Sequence, residues 1–111
     1  MQITYEDFDK VDIRLGKIVA IEDAIGLKKP SYKMTIDFGS EIGHKISLGQ
    51  YVANYSKDEL LGKLVMGVVN FAPKQIGHYT SESLTLGFYD ENGNAILAIP
   101  DKEVTLGKKL A

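Results

Sequence analysis

Cysteine and tryptophan are absent from this 111-residue chain, and histidine occurs only twice. Without cysteine there is no disulfide and no thiolate-bound zinc, and a reducing cytoplasm is the expected setting. His44 and His78 do not have metal-ligand spacing, so neither a metal nor a cofactor is expected. No stretch approaches the ~20 apolar residues that cross a bilayer. The opening MQITYEDFDK is acidic and polar, unlike a secretory leader. Ser81 lies near His78, but no third orienting group or oxyanion signature accompanies the pair. GKK (107–109) lacks the glycine spacing and following helix of a phosphate-binding loop. No catalytic residue is expected, and the chain does not read as an enzyme.

What is present is ordinary in amount and uneven in distribution. The apolar fraction of 44% and the length suit one domain with one core. The net charge is −2, yet residues 28–78 carry seven lysines against four acids, while the segments on either side are acidic. A polyanion would dock on that middle segment.

Alternation of apolar and polar residues places the elements. TYEDFDKV (4–11) predicts one or two helical turns capped by Thr4, with Phe8 and Val11 on one face. DIRLGKIVAIED (12–23) reads as a strand whose phase slips at Gly16, which predicts a β-bulge there. YKMTIDFG (32–39) puts Met34, Ile36 and Phe38 inward. KISLGQ (45–50) is expected to put Ile46 and Leu48 inward, with Lys45 and Ser47 outward. SKDELLG (56–62) reads as a short helix with Ser56 and Glu59 as a capping box and Gly62 as its stop. KLVMGVVNF (63–71) is apolar on both faces, hence central. LTLGFYD (84–90), a turn at ENGN and AILAIP (95–100) make a hairpin, with Leu84, Leu86 and Phe88 inward. Four strands, a short helix between the third and fourth, and a fifth strand predict an all-β, five-stranded Greek-key OB-fold barrel with short helices and a C-terminal β extension.

VDIRLGKIV (11–19), YSKDELLGKLVMGVVNFAPKQIG (55–77) and SESLTLG (81–87) resemble the tRNA-binding OB domain of some methionyl- and tyrosyl-tRNA synthetases and of stand-alone dimeric tRNA-binding proteins. The tail LTLGFYDENGNAILAIPDKEVTLGKKL is similar to the CsaA group, described as export-related chaperones. The family's Asp-(Ile/Leu)-Arg-(Val/Leu)-Gly-Lys-Ile start is met by Asp12 to Ile18, its Asn-Leu-Lys-Pro-Arg-Lys-type turn appears as Asn70 to Gln75, and its Ser-Glu-Gly-Met as Ser81 to Leu84. KKPSYKM stands where the synthetase domains carry Ala-Asp-Lys-Leu, as in the CsaA group.

The resemblance implies non-catalytic tRNA binding, or alternatively CsaA-type binding of extended peptides or preproteins in the same groove. The expected contacts are Lys33, Lys45 and Ser47 on the groove floor, Gln50 at a strand end, and Asn70, Lys74, Gln75, Ser81 and Glu82 on the polar connection. Lys74 suits a phosphate. Glu82 suits a base amino group or ribose hydroxyl, or else holds the loop by accepting backbone N–H groups. A groove mouth of Phe71, Ile76 and Tyr79 would suit peptide, and a lysine-lined one RNA. Lys28 and Lys29 are expected to steer a polyanion. Two terminal regions, the turn at 4–11 and the extension at 90–111, carry apolar faces that a closed barrel does not need. A homodimer is therefore expected, with Tyr5, Phe8, Leu97 and Ile99 in its interface.

Overall fold

The computed structural model describes residues 1–111. Two short helices, α1 (Tyr5–Asp9) and α2 (Lys57–Leu60), accompany nine strands: β1 (Ile13–Ala24), β2 (Ser31–Asp37), β3 (His44–Gly49), β4 (Leu64–Val68), β5 (Lys74–Ile76), β6 (Tyr79–Ser81), β7 (Leu84–Thr85), β8 (Gly87–Tyr89) and β9 (Ala95–Leu97). Five of them form one antiparallel sheet in the order β3-β2-β1-β4-β7. It curls into an OB-like half-barrel, with α2 between the third and fourth strands as expected. Both helices carry the N-caps read from the sequence, Ser56 with Glu59 as the expected capping box, and Thr4 completes a second box with Asp7.

The core is the concave face of the sheet. Ile18, Met34, Ile36, Phe38, Leu60 and Val65 are wholly buried there. Each such side chain is worth about 1.5–3 kcal/mol relative to leaving it in water. Gly16 also faces this core, but its pairing with β4 runs without a break from Ile13 to Lys17. The bulge lies instead between Ile18 and Ala20, on the β2 side. Gly16 is there because a Cβ would lie 2.5 Å from Ile36 Cγ2 and 2.8 Å from the Phe38 ring. The change of phase reflects two layers. Ile13 and Leu15 are buried on the opposite face, along which the C-terminal residues run. Leu15 and Ile13 accept from the backbone N–H groups of Gly107 and Leu110, and the Arg14 guanidinium donates to Gly107 O at 3.0 Å.

The phase expected for the third strand is inverted. Tyr32, Met34 and Ile36 point inward and stand opposite Gly49, Ser47 and Lys45. Ser47 is 0% exposed, and its hydroxyl lies 2.8 Å from that of Thr85. Ile46 and Leu48 face outward. The physical reason is space: Phe38, Met34 and Tyr51 fill the interior beside β3, and even a Cβ on Gly49 would lie 2.6 Å from Tyr51. β7 is inverted too, with Thr85 buried and Leu84 exposed, and Phe88 of β8 is exposed as well. The C-terminal hairpin β8–β9 forms as expected. Its Leu97, assigned to the dimer interface by sequence, belongs to the core of this chain at 8% exposure.

Candidate nucleic-acid interface

The polar connection between β4 and β7 contains a hairpin that sequence reading took for loop. β5 and β6 pair through Lys74↔Ser81, Gln75↔Thr80 and Ile76↔Tyr79, and Gly77 turns with φ +59. The sequence signal was QIGHY: a two-residue turn opening on glycine, flanked by alternating residues.

The residues after β6 close the half-barrel. β3 and β7 are edge strands without a ladder between them. Ile46 N–H donates to Glu82 Oε1 (2.8 Å), and Leu48 N–H donates to Ser81 Oγ (3.2 Å). Ile46 O accepts from the backbone N–H groups of Glu82 and Ser83 and from Ser83 Oγ. Side chains thus satisfy an edge that would otherwise invite another chain.

Beside this seam lies a groove of about 480 Å³. Leu48, Phe71, Ala72, Ile76 and Leu84 make its apolar walls, and Lys74, Ser81, Glu82 and Ser83 supply its polar groups. Phe71 is 57% exposed. No ion pair holds Lys74 or Glu82. Two further hollows flank the hairpin. One of about 290 Å³ is lined by Lys33, Ile46, His78, Tyr79, Thr80 and Glu82. The other, about 510 Å³, carries Lys28, Lys29 and Gln50 beside Ile76 and Gly77.

The predicted residues therefore separate. Lys74, Ser81 and Glu82 meet in the groove beside the seam, with Lys33 and Gln50 in the flanking hollows. Lys33 is shared with Glu22 at 3.2 Å. Lys45 lies on the inward face of β3, partly exposed, and Ser47 is sealed inside. Asn70 spends both ends of its amide on the chain itself, accepting from Asp12 N–H (3.0 Å) and donating to Lys10 O (2.7 Å). Gln75 is likewise engaged within the hairpin, donating to Gly77 O and accepting from Thr80 Oγ1. Leu48, Ala72, Ser83 and Leu84 line the groove without having been singled out. The signal for Leu48 and Leu84 was there, as apolar residues alternating with small polar ones, but the assumption that apolar means inward hid it.

Residues 13–109 match the family described as "Putative tRNA binding domain". The chain belongs to this tRNA-binding domain family. Among solved structures, the tRNA-binding domain fold seen here is similar to the CsaA chaperone protein of Picrophilus torridus, at 46% identity and a TM-score of 0.91, covering 99% of this chain and 100% of that one. It is also similar to the chaperone CsaA of Bacillus anthracis, at 34% identity and a TM-score of 0.93 over all of both chains. The methionine–tRNA ligase of Thermococcus onnurineus is 37% identical over 109 residues. This tRNA-binding domain covers 97% of itself in that match but only 14% of the ligase, and so corresponds to a small part of that enzyme.

Proposed function

We propose that the chain binds tRNA without catalysing a reaction, gripping it in the groove beside the β5–β6 hairpin. The observation that carries this is Lys74: exposed, free of any acidic partner, and set at the rim of the groove beside the exposed Phe71 ring. An ammonium there neutralises a phosphate, and an aromatic face stacks on a base. Lys33 and the Lys28–Lys29 pair extend the positive surface on the other sides of the hairpin. A cytoplasmic setting is the one in which tRNA is met.

The test is tRNA affinity measured against salt. Lys74→Ala should weaken binding and reduce the slope of log K against log salt by about one. An unchanged slope removes Lys74 from the interface.

A second reading has its own support. Five of the nine groove-lining residues are apolar, and the similar CsaA proteins are described as chaperones. An extended polypeptide in the same groove fits those walls, and it would compete with tRNA.

The chain is also proposed to act as a homodimer. Tyr5 is 91% exposed and Phe88 72%, and Val11, Ile99, Val104 and Leu110 are exposed as well. That much apolar surface on the two terminal regions calls for a partner, and two-fold pairing with a second copy is the economical one. Phe8, half-buried, and Ile99 remain in the proposed interface; Leu97 does not.

A further inference from the structure

We infer that the groove beside the β5–β6 hairpin selects an unpaired guanine, whose Watson–Crick edge is taken by the Glu82 carboxylate. This rests on the tRNA reading and names what the same site recognises.

A carboxylate in a polyanion groove is a cost unless it does something that a neutral group cannot. Glu82 is fixed in place rather than trailing in solvent. Its Oε1 accepts from Ile46 N–H at 2.8 Å, and its own N–H donates to Ile46 O. That anchoring leaves Oε2 with no hydrogen bond or ion pair, on a residue that lines both this groove and the smaller hollow holding Lys33 and His78. The seryl hydroxyls beside it are already spent: Ser81 Oγ accepts from Leu48 N–H and donates to Ser83 O, and Ser83 Oγ donates to Ile46 O. Glu82 is therefore the one acidic group of the groove, and it is an acceptor only.

The four bases differ in what they show such a group. Guanine presents two adjacent donors, N1–H and the 2-amino group; the free Oε2 accepts one, and the lone pair of Oε1 that Ile46 leaves accepts the other. Adenine and cytosine present one amino group beside an acceptor nitrogen, which repels a carboxylate. Uracil presents one N–H between two carbonyls, which repel it on both sides. The exposed Phe71 ring supplies the stacking surface, and Lys74 neutralises the adjoining phosphate, so the carboxylate need not face an uncompensated backbone. A groove of about 480 Å³ lies within the ordinary range for small-molecule sites and has room for one extruded base. Base-paired guanines have their donors engaged, so the base must come from a loop or an end.

The test compares fluorescently labelled uridine-tract hexamers that carry one central guanosine, inosine, adenosine, cytidine or uridine, titrated with the whole chain alongside unmodified tRNA. The guanosine hexamer should bind about tenfold tighter than each of the others. Inosine, which lacks only the 2-amino group, isolates that contact. Glu82→Gln keeps an oxygen for Ile46 N–H and turns the free oxygen into a donor. It should level the five hexamers while its melting temperature stays near that of the parent. If tRNA binds but the hexamers bind equally or not at all, the guanine inference is overturned and the tRNA reading stands. If Glu82→Gln leaves a guanine preference intact, Glu82 is not its source and the inference is overturned too. If no RNA binds, while an extended basic peptide does, both fall.

Discussion

Gly16 and Ser47 are set by their neighbours rather than by backbone conformation. The Cβ that Gly16 lacks would press on Ile36 and Phe38, both fully buried with nowhere to move. Gly16→Ala should therefore cost about 1–3 kcal/mol as an overpacked core, read as a lower denaturation midpoint; a parental midpoint would show that this face yields. Ser47 shares its buried hydroxyl with Thr85, whose carbonyl also accepts from Tyr51 OH at 3.1 Å. Burial pushes the Tyr51 phenol up to about 12, so this network keeps its protons throughout the neutral range. Ser47→Ala strands the Thr85 hydroxyl and should cost about 1–3 kcal/mol, with tRNA affinity unchanged. Lost affinity at parental stability would return Ser47 to the groove.

Among the elements, the β8–β9 turn and the α2 cap are where acid acts. Asp90 Oδ1 accepts from the N–H groups of Asn92 and Asn94, and Oδ2 from Asn54 Nδ2. These bonds, Asn94's first and Asn54's next, hold the Asp90 carboxyl below its ordinary value of 3.8. A carboxyl lowered on folding contributes stability above its unfolded value. That contribution is lost as pH falls through the folded one. The Glu59 carboxyl is lowered in the same way by the N–H and hydroxyl of Ser56. Melting temperature should thus drop as pH falls from about 4 toward 2. Asp90→Ala should melt lower at pH 7 and lose less over that acid interval. An identical acid loss in the variant would mean that the turn contributes nothing to it. The seam at Ser81 to Ser83 is the other decisive element, because it closes the half-barrel and fixes the groove in one stroke.

At the scale of the molecule, the exposed terminal faces call for a partner. The chain has a mass of 12.2 kDa, and light scattering at micromolar concentration should give about twice that for the proposed homodimer. Ile99→Asp should halve the mass and leave the chain folded, because Ile99 is exposed. Leu97→Asp should unfold it instead, because Leu97 packs in the core. A monomeric parent would mean that these faces stay in water.

The helices and their caps were determined by the sequence alone, because Thr4 with Asp7 and Ser56 with Glu59 act within three residues of one another. The positions of β1 to β4 were equally local, as was the motif order that marks the family, whereas the β5–β6 hairpin passed for loop. The facing of β3 and β7 was not. Alternation in Lys45-Ile46-Ser47-Leu48 states a period of two, but which pair goes inside depends on the space that other strands leave. Phe38, Met34 and Tyr51 leave room only for Ser47 and Gly49, so Ile46 and Leu48 turn outward. Leu48 and Leu84 become walls of the proposed binding groove, and there the rule that apolar residues face inward reverses. The roles of Asn70 and Leu97 were hidden for the same reason. Asn70 binds Lys10 and Asp12 across some 60 residues of chain, and Leu97 reaches a core built by strands far ahead of it. Only the folded structure brings such partners together.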